Sequence, residues 1–475
     1  MSKQVIVGFF EDRMYRFDSI KIHEEENLLP WESYLANTMA PISLLRFNFG
    51  INRTEDFSGI DLSTLRSYSR KDQLKVFYDR ELGLKDINYS GINLNVPEDH
   101  YTHEVGPIHA GVIEPGHFRF IVKGDHIQSL MIRLGFQHRK ILTNLNGLNF
   151  IKAMPIISGI ALDTTTAYSI CFARCLENLL DFKITRDEEL YRLILLETER
   201  IACNIGEIGG IAGDIGYYPL LAVCSTERGF PLGWMEFLTG SRFGRMAIRP
   251  FHSRIQNVPS KNDIDSWIPN WSRWLEKVSK SMNQAVNNST IRERMQNVGT
   301  VSHESALELG LSGIVARASG TNIDTRLDDP LYKELAPHYF SSSEFRLTGD
   351  VWSRFLLRIQ DVERSVALIQ NAIASINWEN IKSNENQYGQ TNKSILEAKK
   401  IPESGSISYG YAESFRGNLL MAFRWNRHYE IQSSYIRDPS VLNWHALEIA
   451  TQNQLVSDFP LINKSFNLSY AGVDL

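Results

Sequence analysis

The stretch TRDEELYRLILLETERIACNIGEIGGIAGDIG, Thr185 to Gly216, decides the fold. Thr185 is a good helix cap, and Asp187, Glu188 and Glu189 follow where the positive end of a helix dipole favours carboxylates. Leu190, Ile194, Ile201, Ile205 and Ile208 then recur at helical spacing and form one apolar stripe. A helix this long with one apolar face predicts a helical core packed around it. Glu197 falls inside the stripe, where a carboxylate needs a buried partner.

Working outward, periodicity predicts further helices over Tyr218–Thr239, Asp263–Asn288 and Asp350–Ile376. The last carries Val351, Phe355, Leu356, Ile359, Val362, Val366, Ile369 and Ile373 on one face. Ile407–Ser414, Asn418–Arg427 and Tyr429–Arg437 read as an antiparallel meander, followed by a short helix Val441–Ala450 and an extended tail Pro460–Leu475. Upstream, GPIHAGVIEPGHFRF (Gly106–Phe120) places Gly and Pro on both flanks of a short apolar run, a hairpin signal that resumes as the strand His117–Lys123. Strand-like content over Gln4–Phe10, Met14–His23 and Ser43–Gly50, a helical stretch Lys71–Glu81 and the polar run Asn88–Asp99 suggest a small α/β region over 1–95. The main domain then occupies 96–475. The fold class is α+β: a mainly helical core bundle with peripheral antiparallel β-sheets.

The composition, 43% hydrophobic and 22% charged over 475 residues, is that of a soluble globular protein. A net charge of −5 supplies no basic excess for nucleic acid. No stretch reaches eighteen uninterrupted apolar residues, so no membrane span is expected, and the charges at Glu11 to Arg13 come too early for a signal peptide. A cytoplasmic protein is the expectation. Cys171, Cys175, Cys203 and Cys224 contain no CxxC pair, leaving them to be read as small packing residues.

The chemistry-bearing residues form two groups. His100, His103, His109 and His117 gather around the hairpin, without HExxH or a helical pair that would mark a metal site. His109, Glu114 and His117 are instead candidate proton-exchanging groups. Arg242, Arg245 and Arg249 in TGSRFGRMAIRP and Arg317 in VARASG lie in apolar surroundings, and read either as partners of buried carboxylates such as Glu197 or as cations facing a cavity. Asp324, Arg326, Asp328 and Asp329 look like a solvated, charge-rich loop. No Walker A, Rossmann fingerprint or nucleophile elbow is present.

GPIHAGVIEPGHFRF and MIRLGFQHRKI closely resemble the N-terminal hairpin and strand of group 4 (energy-converting) nickel–iron hydrogenase large subunits, including component G of hydrogenase-4. More distantly they resemble the 49-kDa subunit of respiratory complex I. YRLILLETERIACNIGEIGGIAGDIGYY, TGSRFGRMAIRP, GIVARASGTNIDTRLDDP and DPSVLNWHALEIATQNQLVSDFPLINKSFNLSYAG extend the resemblance in order over roughly Tyr101 to Leu475. It implies a hydrogenase large-subunit-like fold. It also places the family's four nickel-binding cysteines at Ala161, Thr164, Ser469 and Gly472, and the histidine after the first pair at Tyr168. Alanine and glycine offer no donor atom and hydroxyls suit nickel poorly, so no nickel–iron centre and no hydrogenase activity are expected. What the resemblance then implies is a large subunit of a membrane-associated redox complex of the NADH–quinone oxidoreductase or hydrogenase type. It would sit on the inner face of the cell membrane through integral membrane subunits and dock on a small iron–sulfur subunit carrying the cluster. The emptied cavity would line a quinone pocket with His109, Glu114, His117, Asp163 and Tyr168; the tyrosine that complex I uses there falls on Leu162. The alternative is a non-catalytic scaffold in an ion-translocating or transport assembly.

Overall fold

The structure is a computed structural model that describes residues 3–11, 14–22, 99–109, 113–321, 323–327, 329–336, 347–382 and 405–475. The expected strand Ser43–Gly50 and helix Lys71–Glu81 lie outside them, as do Asp328 and the hairpin tip 110–112. Strands β1 (Lys3–Glu11) and β2 (Met14–Ile22) pair antiparallel.

The main body holds two three-stranded antiparallel sheets and a helical core. The first sheet is β3 (Tyr101–Val105), β4 (His117–Lys123) and β5 (His126–Arg133), with the GP-flanked hairpin joining its first two strands. The core helices that matter below are α1 (Thr165–Leu179), α2 (Arg186–Asp214), α3 (Tyr218–Glu227), α4 (Gly229–Thr239), α5 (Lys261–Val286), α6 (Gly313–Ala318) and α7 (Val351–Ser375). The second sheet follows as β6 (Ser406–Ser414), β7 (Gly417–Trp425) and β8 (Ile431–Arg437), then α8 (Ser440–Ala450) and α9 (Phe459–Phe466).

The Thr185 side chain accepts the Glu188 N–H, and Asp350 caps α7 in the same way through Ser353. Helices α2 and α7, both long and apolar on their packed faces, lie against each other and form the spine of the core. Helix α1 lies on β6 so closely that a Cβ on Gly410 would sit 2.1 Å from the Cys171 carbonyl oxygen. Cys171 donates to the Gly410 carbonyl at 2.9 Å, which makes it a packing residue whose thiol burial pushes well up.

Two expectations need correction. The predicted Tyr218–Thr239 helix is two helices, broken at Arg228. The tail expected to be extended contains α9, which opens with Pro460 in its first turn and closes on Asn467 in the left-handed region. Among the described residues no single helix is long and apolar enough to cross a membrane.

Candidate functional site

The site is assembled by four chain segments. A short 3₁₀ turn, Leu162–Thr164, leads into α1 and presents Asp163 and Thr164. The tight turn between β6 and β7 presents Arg416, and its backbone is held fast: a Cβ on Gly313, at φ +69°, would sit 2.0 Å from the Arg416 carbonyl oxygen. The loop before α8 brings Asp438, and the segment after α9 brings Ser469 to Gly472.

Arg416 is the centre of this cluster. Its Nη2 donates to Asp163 Oδ2 at 2.6 Å, and its Nη1 donates to Asp163 Oδ1 at 3.1 Å and to Thr164 Oγ1 at 2.8 Å. Its Nε donates to the Asn467 carbonyl at 2.5 Å. Burial alone would raise the Asp163 carboxyl, but the guanidinium outweighs it and holds the group below its ordinary range. Opposite, Tyr168 is fully buried and its hydroxyl donates to Asp438 Oδ2 at 2.7 Å; burial, and then that carboxylate, push the phenol far up. The other Asp438 oxygen accepts the Ser440 N–H at 2.7 Å.

The first and last motif positions each border this cluster. Thr164 touches Arg416, and a Cβ on Gly472 would lie 2.5 Å from Asp438 Oδ2 and 2.8 Å from the Tyr168 hydroxyl. The Ser469 hydroxyl is taken by the Gly472 N–H at 2.9 Å, and Ala161 has no donor atom. This set does not fit a thiolate-held nickel–iron centre: two positions lack ligand atoms, two hydroxyls are engaged, and position 472 has no room for a side chain.

Cys203 approaches, donating to the Asp163 carbonyl oxygen at 3.2 Å, but burial and the Asp163 charge drive its thiol far above the usual range. No group of three or more His, Cys, Asp or Glu side chains among the described residues is placed to hold a metal ion.

Beside the cluster, Leu162, Asp163, Glu199, Cys203, Arg228 and Phe243 border a cleft of about 290 Å³ counted to its open mouth, whose enclosed part has room for about one water. Leu162 and Phe243 expose apolar surface at its rim and Arg242 stands beside them. Glu199 accepts the Thr166 N–H at 2.6 Å and the Ala167 N–H at 3.3 Å at the start of α1. Burial pushes its carboxyl up to about 8, with those amides opposing and Asp163 adding to the rise.

The hairpin residues divide. Glu114 joins the site from outside: its Oε2 accepts the Tyr470 and Ala471 N–H groups at 3.2 and 3.3 Å, next to Gly472. His109 stacks on Phe118, ring centroids 5.5 Å apart, and burial lowers its basicity. His117 is buried on β4 with Nε2 3.7 Å from Glu104, and burial lowers it too, Glu104 opposing.

The ion pairs also differ from the expectation. The cations that meet Glu197 are Arg200, at 3.0 Å one turn along α2, and Arg326, at 3.7 Å, rather than Arg242, Arg245 or Arg249. Tyr332 and Ser365 hydroxyls donate to the same carboxylate. Arg317 forms a two-pronged pair with Asp361, 2.9 and 2.6 Å, and Arg326 another with Asp324. Asp324 and Arg326 are thus buried rather than solvated, because each neutralises the other. Arg242 and Arg245 are exposed, and the Arg249 carbonyl receives Arg192.

Arg416, Asp438 and Glu199 were not singled out from the sequence. Glu199 and Asp438 carried a signal: one lies on the core helix two residues from Glu197, and the other opens the DPSVLNW motif.

Residues 214–475 match the protein family described as "Respiratory-chain NADH dehydrogenase, 49 Kd subunit". The chain is 24% identical to an NADH-quinone oxidoreductase subunit of Campylobacter curvus (strain 525.92), over 74% of this chain and 88% of that one. It is also 24% identical to the carbon monoxide-induced hydrogenase of Rhodospirillum rubrum, over 77% and 97% respectively. In fold it is similar to a chain of the membrane-bound sulfane sulfur reductase, an archaeal respiratory membrane complex, with a TM-score of 0.68 at 18% identity, covering 80% of this chain and all of that one.

Proposed function

Since the chain belongs to the respiratory-chain NADH dehydrogenase 49-kDa subunit family, we propose that it is the large subunit of a membrane-associated respiratory complex of complex I or hydrogenase type. In this reading it has no nickel–iron centre, and its cleft is one wall of a pocket for a quinone-type acceptor. Membrane subunits anchor it, and electrons reach the pocket from an iron–sulfur cluster on a small partner subunit. The observation that carries the reading is the cleft itself. It opens beside the convergence of the former ligand positions, and it sets exposed apolar Leu162 and Phe243 next to polar Asp163, Glu199 and Arg228. That mixture suits a lipophilic ring with polar oxygens.

The test is photolabelling of the complex, isolated from membranes through a tag on this chain, with an azidoquinone. Label on the peptides around Leu162 or Phe243 supports the pocket. Label confined to other subunits, or stoichiometric nickel in the preparation, refutes it.

A second reading, a redox-silent scaffold, is favoured by one observation: Arg416 already engages Asp163 on the cleft wall, and the cleft encloses space for about one water. A complex that reduces no quinone and takes up no label selects this reading.

A further inference from the structure

The cleft has a charge character that a wall for a neutral ring does not require. Asp163 and Arg416 cancel each other across a two-pronged pair. That leaves the guanidinium groups of Arg228 and Arg242, both permanently charged, on the same cleft. Arg228 occupies the break between α3 and α4, and its Nε is buried with no hydrogen-bond acceptor among the described residues. A buried donor without an acceptor costs free energy unless a bound group satisfies it. Glu199 is the other carboxyl group that the described residues place on the wall. Burial pushes it up to about 8, which favours the protonated acid at neutral pH, while the α1 amides oppose that rise and occupy its acceptor capacity. A neutral carboxylic acid in such a place can only add a hydrogen-bond donor.

Resting on the pocket reading above, we propose that this cleft is built for an oxyanion: the phenolate-type oxygen of an acidic or reduced quinone, gripped by Arg228 and hydrogen-bonded by the Glu199 acid. Two guanidinium groups and one carboxylic acid supply the charged and acidic donors on this wall, beside the apolar surface of Leu162 and Phe243. The neutral quinone fits the same walls but satisfies the donors less well, since charge-assisted hydrogen bonds are about twice as strong as neutral ones. The charged and titratable groups around Glu199 are Asp163, Cys203, Arg228, Arg242 and, behind Asp163, Arg416. When Glu199 ionises it becomes a second anion in the cleft and repels the ligand.

The experiment compares two probes on the isolated complex. One is hydroxynaphthoquinone, whose enolic hydroxyl is ionised at neutral pH; the other is the methyl-substituted naphthoquinone, similar in size and neutral. Binding is followed by the visible band of the hydroxynaphthoquinone anion and by calorimetry. The expected result at pH 7 is about tenfold or tighter binding of the anion. Arg228→Gln abolishes the preference, and Arg228→Lys, which keeps the charge, retains part of it. Raising the pH from 7 to 9 weakens binding of the anion in the native complex and leaves it unchanged in Glu199→Gln.

Equal affinity for the two probes, or a preference that survives Arg228→Gln, overturns the oxyanion assignment and leaves the quinone pocket standing. Failure of both probes to bind overturns the oxyanion assignment and the quinone pocket together.

Discussion

Substituting Gly472 by alanine tests the arrangement at the heart of the site. The backbone of Gly472 lies outside the left-handed region that only glycine tolerates well, so alanine there costs nothing in conformation. The cost is steric. The new Cβ would sit 2.5 Å from Asp438 Oδ2, 2.7 Å from its Cγ and 2.8 Å from the Tyr168 hydroxyl, all inside contact distance. Overpacking of this kind costs about 1–3 kcal/mol. Swinging Asp438 aside breaks the 2.7 Å bond from Tyr168 and leaves a buried phenol unpaired, about 1.5–3 kcal/mol for a bond to a charged group.

Gly472→Ala is therefore expected to destabilise by about 2.5–6 kcal/mol. For a chain of 475 residues melting as one unit this is a fall of about 2.5–6 °C in Tm, since the unfolding entropy is about 1 kcal/mol/K. The decisive assay is a double-mutant cycle by denaturant unfolding. Asp438→Ala removes the clash partner and frees Tyr168 to move, so Gly472→Ala in that background should cost less than about 1 kcal/mol. A cost equal in the two backgrounds to within about 0.5 kcal/mol would refute this packing.

Asp361→Asn removes the two-pronged partner of Arg317, leaving it Asp324 at 3.8 Å, and should destabilise by about 3–5 kcal/mol, read as a shift in the urea midpoint at constant slope. The Glu199 carboxyl is raised to about 8 in the fold from an ordinary 4.5, so the folded chain holds a proton that the unfolded one has released between those values. Its contribution is complete below about pH 4.5 and is lost as pH climbs to about 8, at about 1.4 kcal/mol per pH unit. Unfolding free energies at pH 5.5 and 7.5 should thus differ by about 2–3 kcal/mol more in the native chain than in Glu199→Gln, and equal differences would contradict the burial assigned to it. Glu114→Ala deletes the acceptor for the Tyr470 and Ala471 amides, and hydrogen exchange at those two amides should accelerate while that of α2 stays slow.

Much of the architecture was legible because it is written locally. The helix expected over Asp350–Ile376 is observed over Val351–Ser375, the Thr185 cap is made, and the strand His117–Lys123 is found at the expected residues. Apolar period and capping chemistry are short-range signals, and these elements carry them strongly.

The site was legible only through resemblance, which singled out Asp163, Thr164, Tyr168 and Gly472. Arg416 was missed because nothing in its own neighbourhood marks it, and Asp438, although it opens the DPSVLNW motif, because nothing local points to its buried partner. One sits in a two-residue turn and the other at a strand end, 252 and 270 residues from Thr164 and Tyr168, the site groups each one meets. Asp324 and Arg326 were misread for the converse reason: a run of charges looks solvated until the fold delivers Asp361 and Arg317 to meet it.

The buried charges around Glu197 also constrain how this protein can diverge. Arg200, Arg317 and Arg326 pair with Glu197, Asp324 and Asp361, and these are drawn from α2, α6, α7 and the turn after α6. Losing one member strands its counterpart in a dry interior, so a descendant lineage cannot shed these side chains one at a time without passing through a weakened intermediate. Inheritance should keep them as a block, and a relative in which one has become apolar should have lost its counterpart as well.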